Sequence, residues 1–221
     1  MSVSVPQENS TFHPVLLNEV KDDQCLWSTF AGLKYLIVSD LYRFTGSTSL
    51  KDFVKCFLIE KGFNFSVYYR VAHYLYRKRG NQKGVFWFLS QLFNIYYRHV
   101  QIKYSVDISS RCALGPGIAF LHLFGTVIYP GATLGKNINI GHFVTIGMKD
   151  TGKYAGAPTI GDNVYIAPGA KIIGRIHIGN NATIGANAVV TKDVPEFAIV
   201  GGVPAKILGY AEQQEHVHHR V

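Results

Sequence analysis

Two side chains of this 221-residue chain have the types and spacing needed to move a proton. His122 lies in an otherwise apolar run, residues 120–124, and Asp107 precedes it by fifteen residues. A neutral imidazole accepts a proton near neutral pH, and a carboxylate on its other ring nitrogen fixes the tautomer and stabilises the imidazolium. We predict that His122 is a general base and Asp107 its partner. From spacing alone, a structural histidine explains His122 equally well.

Other polar residues are secondary candidates. His142 follows an Ile-Gly pair and is the second candidate for the base, and we expect His142, Lys153 and Tyr154 to contact the acceptor of the reaction. His177 alternates with aliphatic neighbours, so it is expected to point outward without a role. Three further histidines lie in residues 212–221, where a frayed terminus is the simplest interpretation.

The elements that position these side chains follow a six-residue period. This period matches neither a helix nor a plain strand, and it is typical of a left-handed parallel β-helix with three short strands per coil. Asparagines 137, 139, 163, 180, 181 and 187 suit the corners between strands. Aliphatic residues recur at Ile108, Leu114, Phe120, Ile128, Leu134, Ile140, Ile146, Ile160, Ile166, Ile172, Ile178, Ile184 and Val190.

Two interruptions of the repeat indicate outward loops. Two extra residues separate Phe120 from Ile128, next to His122, and eight extra residues separate Ile146 from Ile160. The longer insertion, residues 148–158, is polar and glycine-rich. Because functional sites are often built from loops on a rigid scaffold, this insertion is expected to border the site, and an idle surface loop is the alternative.

The first half of the chain has helical periodicity. We predict helices over residues 53–79 and 83–104, and we expect the aromatic residues of the second helix to pack on the β-helix or between subunits. The resulting domains are a mainly α-helical region, residues 1–104, a β-helix, residues 105–209, and a tail, residues 210–221.

Composition limits the classes of protein that fit. The chain has 22 glycines, 16% charged residues and a net charge of +8, of which +6 falls in residues 1–106. A basic half suits an anionic ligand, an anionic polymer or a membrane surface, or it is merely a solvated basic face. Three widely spaced cysteines fit neither a disulfide framework nor a zinc site, and no signal peptide is evident. We expect a cytoplasmic protein, with peripheral contact to the inner face of the membrane as an option.

About two thirds of the chain, residues 61–209, resembles the serine acetyltransferase branch of the hexapeptide acyltransferases. The resemblance is carried by the Val106-Asp107-Ile108 stretch, the Gly115-Pro116-Gly117-Ile118 turn and His122. The segments 69–75 and 200–207 also match. It implies acetyl transfer to a hydroxyl group, acetyl-CoA as the co-substrate, no metal, and a homotrimer or a pair of trimers. The positions matching the family's acetyl-CoA site are Gly147, Ala167, Pro168, Ala186, Thr191, Lys192 and Lys206.

The acceptor-binding residues depart from that branch. Serine acetyltransferases hold the charges of the amino acid with an acidic residue before the catalytic histidine, an Arg-His pair in the extended loop and an acidic residue in the helical region. Here Leu121 occupies the position before the histidine, and Gly156 and Ala157 occupy the positions of the Arg-His pair. The acidic position of the helical region falls near Gly46. We therefore expect a neutral acceptor, a sugar hydroxyl of a surface polysaccharide such as a capsule or of its precursor. Acetylation of serine in cysteine synthesis is the alternative.

Two other classes stay open at this point. A metal hydratase on the same β-helix needs three converging histidines, and only His122 and His142 have suitable places. A non-catalytic assembly scaffold needs no histidine at all. Nothing in the sequence indicates nucleic-acid binding.

Overall fold

A computed structural model describes residues 23–79, 84–211 and 216–221. In these ranges a set of helices is followed by a stack of short strands. The helices are α1 (Asp23–Ser28), α2 (Phe30–Thr45), α3 (Leu50–Ile59), α4 (Lys61–Lys78) and α5 (Val85–Tyr104).

The helical region contains two features that the periodicity did not predict. Helix α2 begins where the Thr29 hydroxyl accepts a hydrogen bond from the Gly32 amide, 3.0 Å away, and ends at Gly46 with a left-handed φ of 65°. The single helix predicted over residues 53–79 is two helices, because Glu60 is extended, with φ −89° and ψ 104°. Helix α4 then starts against the β-helix, where a Cβ on Gly62 would overlap the carbonyl oxygen of Phe120.

The strands form a left-handed β-helix, as predicted. Sheet A contains β1, β4, β7, β10 and β13; sheet B contains β2, β5, β8 and β11; sheet C contains β3, β6, β9, β12, β14 and the antiparallel β15. The strands are β1 (Asp107–Ile108), β2 (Ala113–Leu114), β3 (Ala119–Phe120), β4 (Val127–Ile128), β5 (Thr133–Leu134), β6 (Asn139–Ile140), β7 (Thr145–Gly147), β8 (Thr159–Ile160), β9 (Tyr165–Ile166), β10 (Lys171–Ile173), β11 (His177–Ile178), β12 (Thr183–Ile184), β13 (Val189–Val190), β14 (Ala198–Gly201) and β15 (Lys206–Tyr210).

The centre of the core is the column of apolar side chains that the six-residue period identified, and smaller apolar residues of the corners and side chains of α4 and α5 pack around it. Every side chain of the column is at most 2% exposed. The register places them in line, for example Ile108 beside Ile128 and Ile128 beside Ile146 in sheet A. Each such side chain contributes about 1.5–3 kcal/mol by leaving water, so the column is the main source of the stability of the stack.

The corners use asparagine largely as expected. Asn137, Asn163, Asn181 and Asn187 have left-handed φ values between 55° and 58°. The first three also form a ladder, with amide-to-amide hydrogen bonds of 3.0 and 3.2 Å. Asn139 instead lies in β6, and the Asn180 side chain accepts a hydrogen bond from the Asp162 amide.

A buried ion pair joins the helices to the first coil. The Arg70 guanidinium donates to both carboxylate oxygens of Asp40 at 2.9 Å, and also to the carbonyls of Leu114 and Gly115. The Ile118 amide donates to Asp40 at 2.9 Å. Removing one partner of such a pair costs about 3–5 kcal/mol, so this pair fixes α2 and α4 on the strands that precede His122.

The described end of the tail, residues 216–221, is docked rather than frayed. The side-chain amide of Asn139 donates to the His216 carbonyl at 2.6 Å. The side chain of Asn137 donates to the Val221 carbonyl and accepts a hydrogen bond from the Val221 main-chain amide. Val217 is 2% exposed. The tail is therefore part of the packed structure on the face of sheet C.

Only one face of helix α5 packs against the rest of the described structure. Tyr97 and Val100 are buried, whereas Phe88 and Ile95 are 63% and 70% exposed. No helix in the described ranges is both long and apolar enough to cross a membrane. Cys56 and Cys112 are buried free thiols, and Cys25 lies where side chains are outside the described part.

Candidate active site

The corner between sheet C and sheet A carries both candidate histidines. We call it the C–A corner: the residues that follow each strand of sheet C and precede the next strand of sheet A, namely 121–126, 141–144, 167–170 and 185–188. His122 lies in the first of these layers and His142 in the second. The two-residue interruption of the repeat falls in the first layer, which is why that layer bulges outward.

The two imidazoles are neighbours at this corner, in an edge-to-face arrangement. Their ring centroids are 5.9 Å apart with an interplanar angle of 66°. Both line a cavity of about 510 Å³ with Leu121, Phe124 and Phe143. His122 is exposed, so a substrate can reach its ring, and Nδ1 of His142 is buried without a hydrogen-bond partner in the described part of the chain.

Main-chain hydrogen bonds hold the bulged layer in place. The Leu121 amide donates to the Ile140 carbonyl at 2.9 Å, and the Phe143 amide donates to the Phe124 carbonyl at 2.6 Å. In the next layer the Gly169 amide donates to the His142 carbonyl at 2.9 Å. Backbone on both sides of each histidine is thus fixed by its neighbouring coil, which preorganises the rings.

The start of α4 forms the opposite wall of the cavity. Ile59, Glu60, Lys61 and Gly62 line it together with the histidines. The ammonium of Lys61 lies 5.7 Å from the centroid of the Phe124 ring, a cation–π contact. Sequence reasoning missed these two charged residues, because they fell inside a region predicted as one continuous helix. Their signal was an adjacent Glu and Lys before a glycine in the middle of that helix.

The structure places Asp107 next to the layer that contains His122, where the Asp107 amide donates to the Thr126 carbonyl at 3.0 Å. Asp107 is exposed at the start of β1, where it pairs with Val127, and it lines a separate cavity of about 910 Å³. No hydrogen bond between the Asp107 carboxylate and the His122 ring occurs among the described residues. The pairing of these two residues stays a prediction.

The positions expected to bind acetyl-CoA divide into two groups. Ala167, Pro168 and Ala186 continue the C–A corner in the layers beyond His142, and the Asn187 amide donates to the Pro168 carbonyl at 2.9 Å. Coils stack about 4.8 Å apart, so these positions begin one layer from His142. The second group lies elsewhere: Gly147 ends β7, Thr191 and Lys192 follow β13, and Lys206 begins β15.

The long insertion, residues 148–158, lies at a different corner, between sheet A and sheet B. The amides of Lys149 and Gly156 each donate to the other residue's carbonyl, and the Arg175 amide donates to the Tyr154 carbonyl at 2.8 Å. The Lys153 ammonium lies 5.4 Å from the Tyr154 ring centroid. These residues do not line the cavity of His122. Within one chain, the structure therefore brings His122 and His142 together but not Lys153 and Tyr154.

A metal centre receives no geometric support from the described residues. Within residues 23–79, 84–211 and 216–221, no group of three or more His, Cys, Asp or Glu side chains could hold an ion. The arrangement at the C–A corner suits proton transfer instead. It offers an accessible imidazole, a second imidazole beside it, and a lining of apolar side chains.

Comparison with known proteins gives a consistent result. Residues 157–192 match the family described as bacterial transferase hexapeptide (six repeats). The serine acetyltransferase of Haemophilus influenzae is 37% identical over 150 residues, which are 67% of this chain and 52% of that protein. The chain thus spans about half the length of this curated relative.

Solved structures extend the match to most of the fold. The serine acetyltransferase of Neisseria gonorrhoeae in complex with serine is 30% identical with a TM-score of 0.67, covering 88% of this chain and 80% of that one. The soybean serine acetyltransferase complexed with serine is 35% identical with a TM-score of 0.65, covering 80% and 69%. Both resemblances include the helical region as well as the β-helix.

Proposed function

This chain belongs to the hexapeptide-repeat acyltransferases, and from that premise we propose that it is an O-acetyltransferase that uses acetyl-CoA. The observation that carries the proposal is the accessible ring of His122, which faces His142 in a cavity at the C–A corner. Small residues follow in the next layers of the same corner. This arrangement is expected of a general base that lies beside a narrow channel for acetyl-CoA.

The proposed mechanism assigns one proton-transfer path to His122. Its neutral imidazole takes the proton of the acceptor hydroxyl as the oxygen attacks the thioester carbonyl. Backbone amides stabilise the negative charge on the resulting tetrahedral intermediate. The intermediate then collapses, the carbon–sulfur bond breaks, and the imidazolium returns the proton to the departing thiolate of CoA. Asp107 stabilises that imidazolium once it is brought within hydrogen-bonding distance.

Acetyl-CoA is proposed to run along the C–A corner. Ala167, Pro168 and Ala186 leave room for the pantetheine arm because their side chains are small. Thr191, Lys192 and Lys206 lie outside this corner in one chain and are proposed to meet the nucleotide end from the neighbouring subunit, where lysine ammonium groups neutralise phosphate charge. Gly147, at the end of β7, is the remaining position of the predicted acetyl-CoA site. A solved relative from Brucella abortus, 31% identical, is described as a complex with coenzyme A, which supports this co-substrate.

Serine is the acceptor that the relatives support. The similar proteins described above are serine acetyltransferases, and none of them supports the sugar acceptor expected from the sequence. The cavity is also lined by two charged residues that the sequence analysis did not identify as part of the site. The carboxylate of Glu60 suits an ammonium group, and the ammonium of Lys61 suits a carboxylate, so together they match a zwitterionic amino acid.

A sugar hydroxyl is the second candidate, and one observation favours it. Leu121, which occupies the position of the family's acidic residue, is 41% exposed at the cavity. Gly156 and Ala157 likewise bring no charge. Thiol release from acetyl-CoA, measured separately with L-serine and with neutral oligosaccharides, distinguishes the two acceptors. Release with oligosaccharide alone overturns the serine proposal.

The proposed assembly is a homotrimer. His122 lies at the C–A corner of one chain, whereas Lys153 and Tyr154 lie at the A–B corner. A threefold arrangement of triangular prisms places one corner of each copy beside a different corner of the next. The insertion of one subunit then borders the His122 cavity of its neighbour, which explains how residues expected in one site are separated in the single chain.

A further inference from the structure

A second cavity in the described part of the chain lies beside the first coil. It is a groove of about 910 Å³ between the end of α4, one side of α5 and the first coil. Three arginines line it: Arg79 at the end of α4, Arg98 on α5 and Arg111 in the first coil. We call it the arginine groove.

The charge in this groove is largely uncompensated. Asp107 is its only acidic lining residue among those described, against three guanidinium groups. No side-chain hydrogen bond or ion pair engages Arg79, Arg98 or Arg111 within the described ranges. The buried Arg70, by contrast, is fully occupied by Asp40 and two carbonyls. The three groove arginines therefore keep donors available to a ligand.

The walls of the groove are fixed by contacts that do not use the arginines. The Tyr97 hydroxyl donates to the Ile108 carbonyl at 2.9 Å, and the Ile108 amide donates to Oε1 of Gln101 at 2.9 Å. The Arg79 guanidinium carbon lies 4.6 Å from the centroid of the Tyr76 ring, which orients its plane. Asn94 also lines the groove one helical turn from Arg98, where its side chain donates to Ser90 Oγ at 3.4 Å and accepts from Ser110 Oγ at 3.5 Å.

We propose that the arginine groove binds an extended ligand that carries two or more anionic groups, carboxylate or phosphate. Each guanidinium can hold one such group through two parallel hydrogen bonds. Since the arginines come from three separate elements, spaced anions on a chain fit them better than a single ion. The groove shares Asp107 with the proposed catalytic residues but is a different cavity from that of His122, so ligand binding to it can be measured without acetyl transfer.

Calorimetric titration of the full chain tests the proposal with three probes, of which the two hexasaccharides are matched in length. Hexagalacturonate carries carboxylates, inorganic tripolyphosphate carries phosphates, and maltohexaose carries no charge. We expect at least one anionic probe to bind and maltohexaose not to bind. The anionic probe that binds more tightly identifies which of the two groups the groove prefers. Absence of binding by both anionic probes overturns the proposal.

A double variant, Arg98→Gln with Arg111→Gln, locates the binding. Both side chains are exposed, so the fold should tolerate the change. We expect the affinity for the anionic probe to fall by about tenfold or more, since each lost charge-assisted hydrogen bond is a strong one. The matched control is Lys51→Gln with Lys55→Gln, which removes the same charge from exposed positions on α3.

Equal weakening in both double variants overturns the proposal, because it shows that only net charge matters. A change in the mass of the assembly in the arginine variant also overturns it, because the groove is then a contact between subunits.

Discussion

His122 is accessible and lies in a fixed backbone bulge, so its imidazole can meet a hydroxyl group without rearrangement of the coil. His122→Ala is expected to lower kcat for thiol release by about 10²–10⁴, the range for loss of a general base, with an unchanged assembly. His177→Ala, on the outer face of β11, is the matched control and should keep full activity. Full activity in His122→Ala would move the base to His142.

The charged pair at the start of α4 gives a second prediction at the residue scale. Glu60→Gln should raise KM for L-serine about tenfold, because it removes the partner proposed for the ammonium group, while KM for acetyl-CoA stays the same. Glu196→Gln, an exposed carboxylate elsewhere on the β-helix, is the control. If KM for serine is the same in both variants, Glu60 does not bind the acceptor.

His73 makes stability depend on pH. Burial lowers the pKa of His73 to about 4, while its Nδ1 lies 2.8 Å from the Ser110 carbonyl. The unfolded chain, with a pKa of about 6.5, therefore binds more protons between these values. The contribution to the free energy of unfolding is complete above about pH 6.5 and falls by up to about 3 kcal/mol as the pH drops to about 4.

Urea denaturation between pH 4 and pH 7 measures this effect. We expect His73→Gln to flatten the slope, whereas the exposed His177→Gln should keep it. The same slope in His73→Gln and the unmodified chain would show that another group causes the pH dependence.

At the scale of the elements, the β-helix was predictable and the helical junctions were not. Every position that the six-residue period named is buried, because each coil repeats the same environment. The break at Glu60 occurs next to the close approach of Gly62 to the Phe120 carbonyl, a tertiary contact that local periodicity does not encode. For the same reason, Glu60 and Lys61 were not recognised as neighbours of His122. The docked tail depends likewise on Asn137 and Asn139, which are distant in sequence.

Strand β5 offers a matched pair of substitutions that tests the core. Leu134 is 2% exposed, whereas the adjacent Thr133 points outward. Leu134→Asp should lower the free energy of unfolding by more than about 3 kcal/mol, because it loses the burial of a large apolar side chain and places an unpaired charge in the prism. Thr133→Asp should change it by less than about 1 kcal/mol. Equal effects in thermal or urea denaturation would contradict the inward orientation.

The proposed trimer accounts for the separation of His122 and the long insertion within one chain. His122 and the insertion at residues 148–158 lie at different corners of the prism, and the proposed trimer brings them together from two copies. Light scattering should give a mass three times the 24.6 kDa of one chain. A monomeric mass would contradict the proposed assembly.

Mixed trimers test whether the site is shared. His122→Ala and a variant with residues 150–155 replaced by a short glycine linker should each be inactive alone. Mixing them after reversible dissociation should recover activity, because some interfaces then combine an intact His122 with an intact insertion. No recovery in trimers shown to be mixed would place both elements in one subunit's site.

The central claim is that this chain transfers acetyl groups from acetyl-CoA to a hydroxyl with His122 as base. The most direct measurement follows thiol release from acetyl-CoA by the unmodified chain and by His122→Ala, with and without L-serine, and identifies the acetylated product by mass. We expect serine-dependent release in the unmodified chain, formation of O-acetylserine, and loss of both in the variant. Release that requires an oligosaccharide would contradict the proposed acceptor, and release unaffected by His122→Ala would contradict the mechanism.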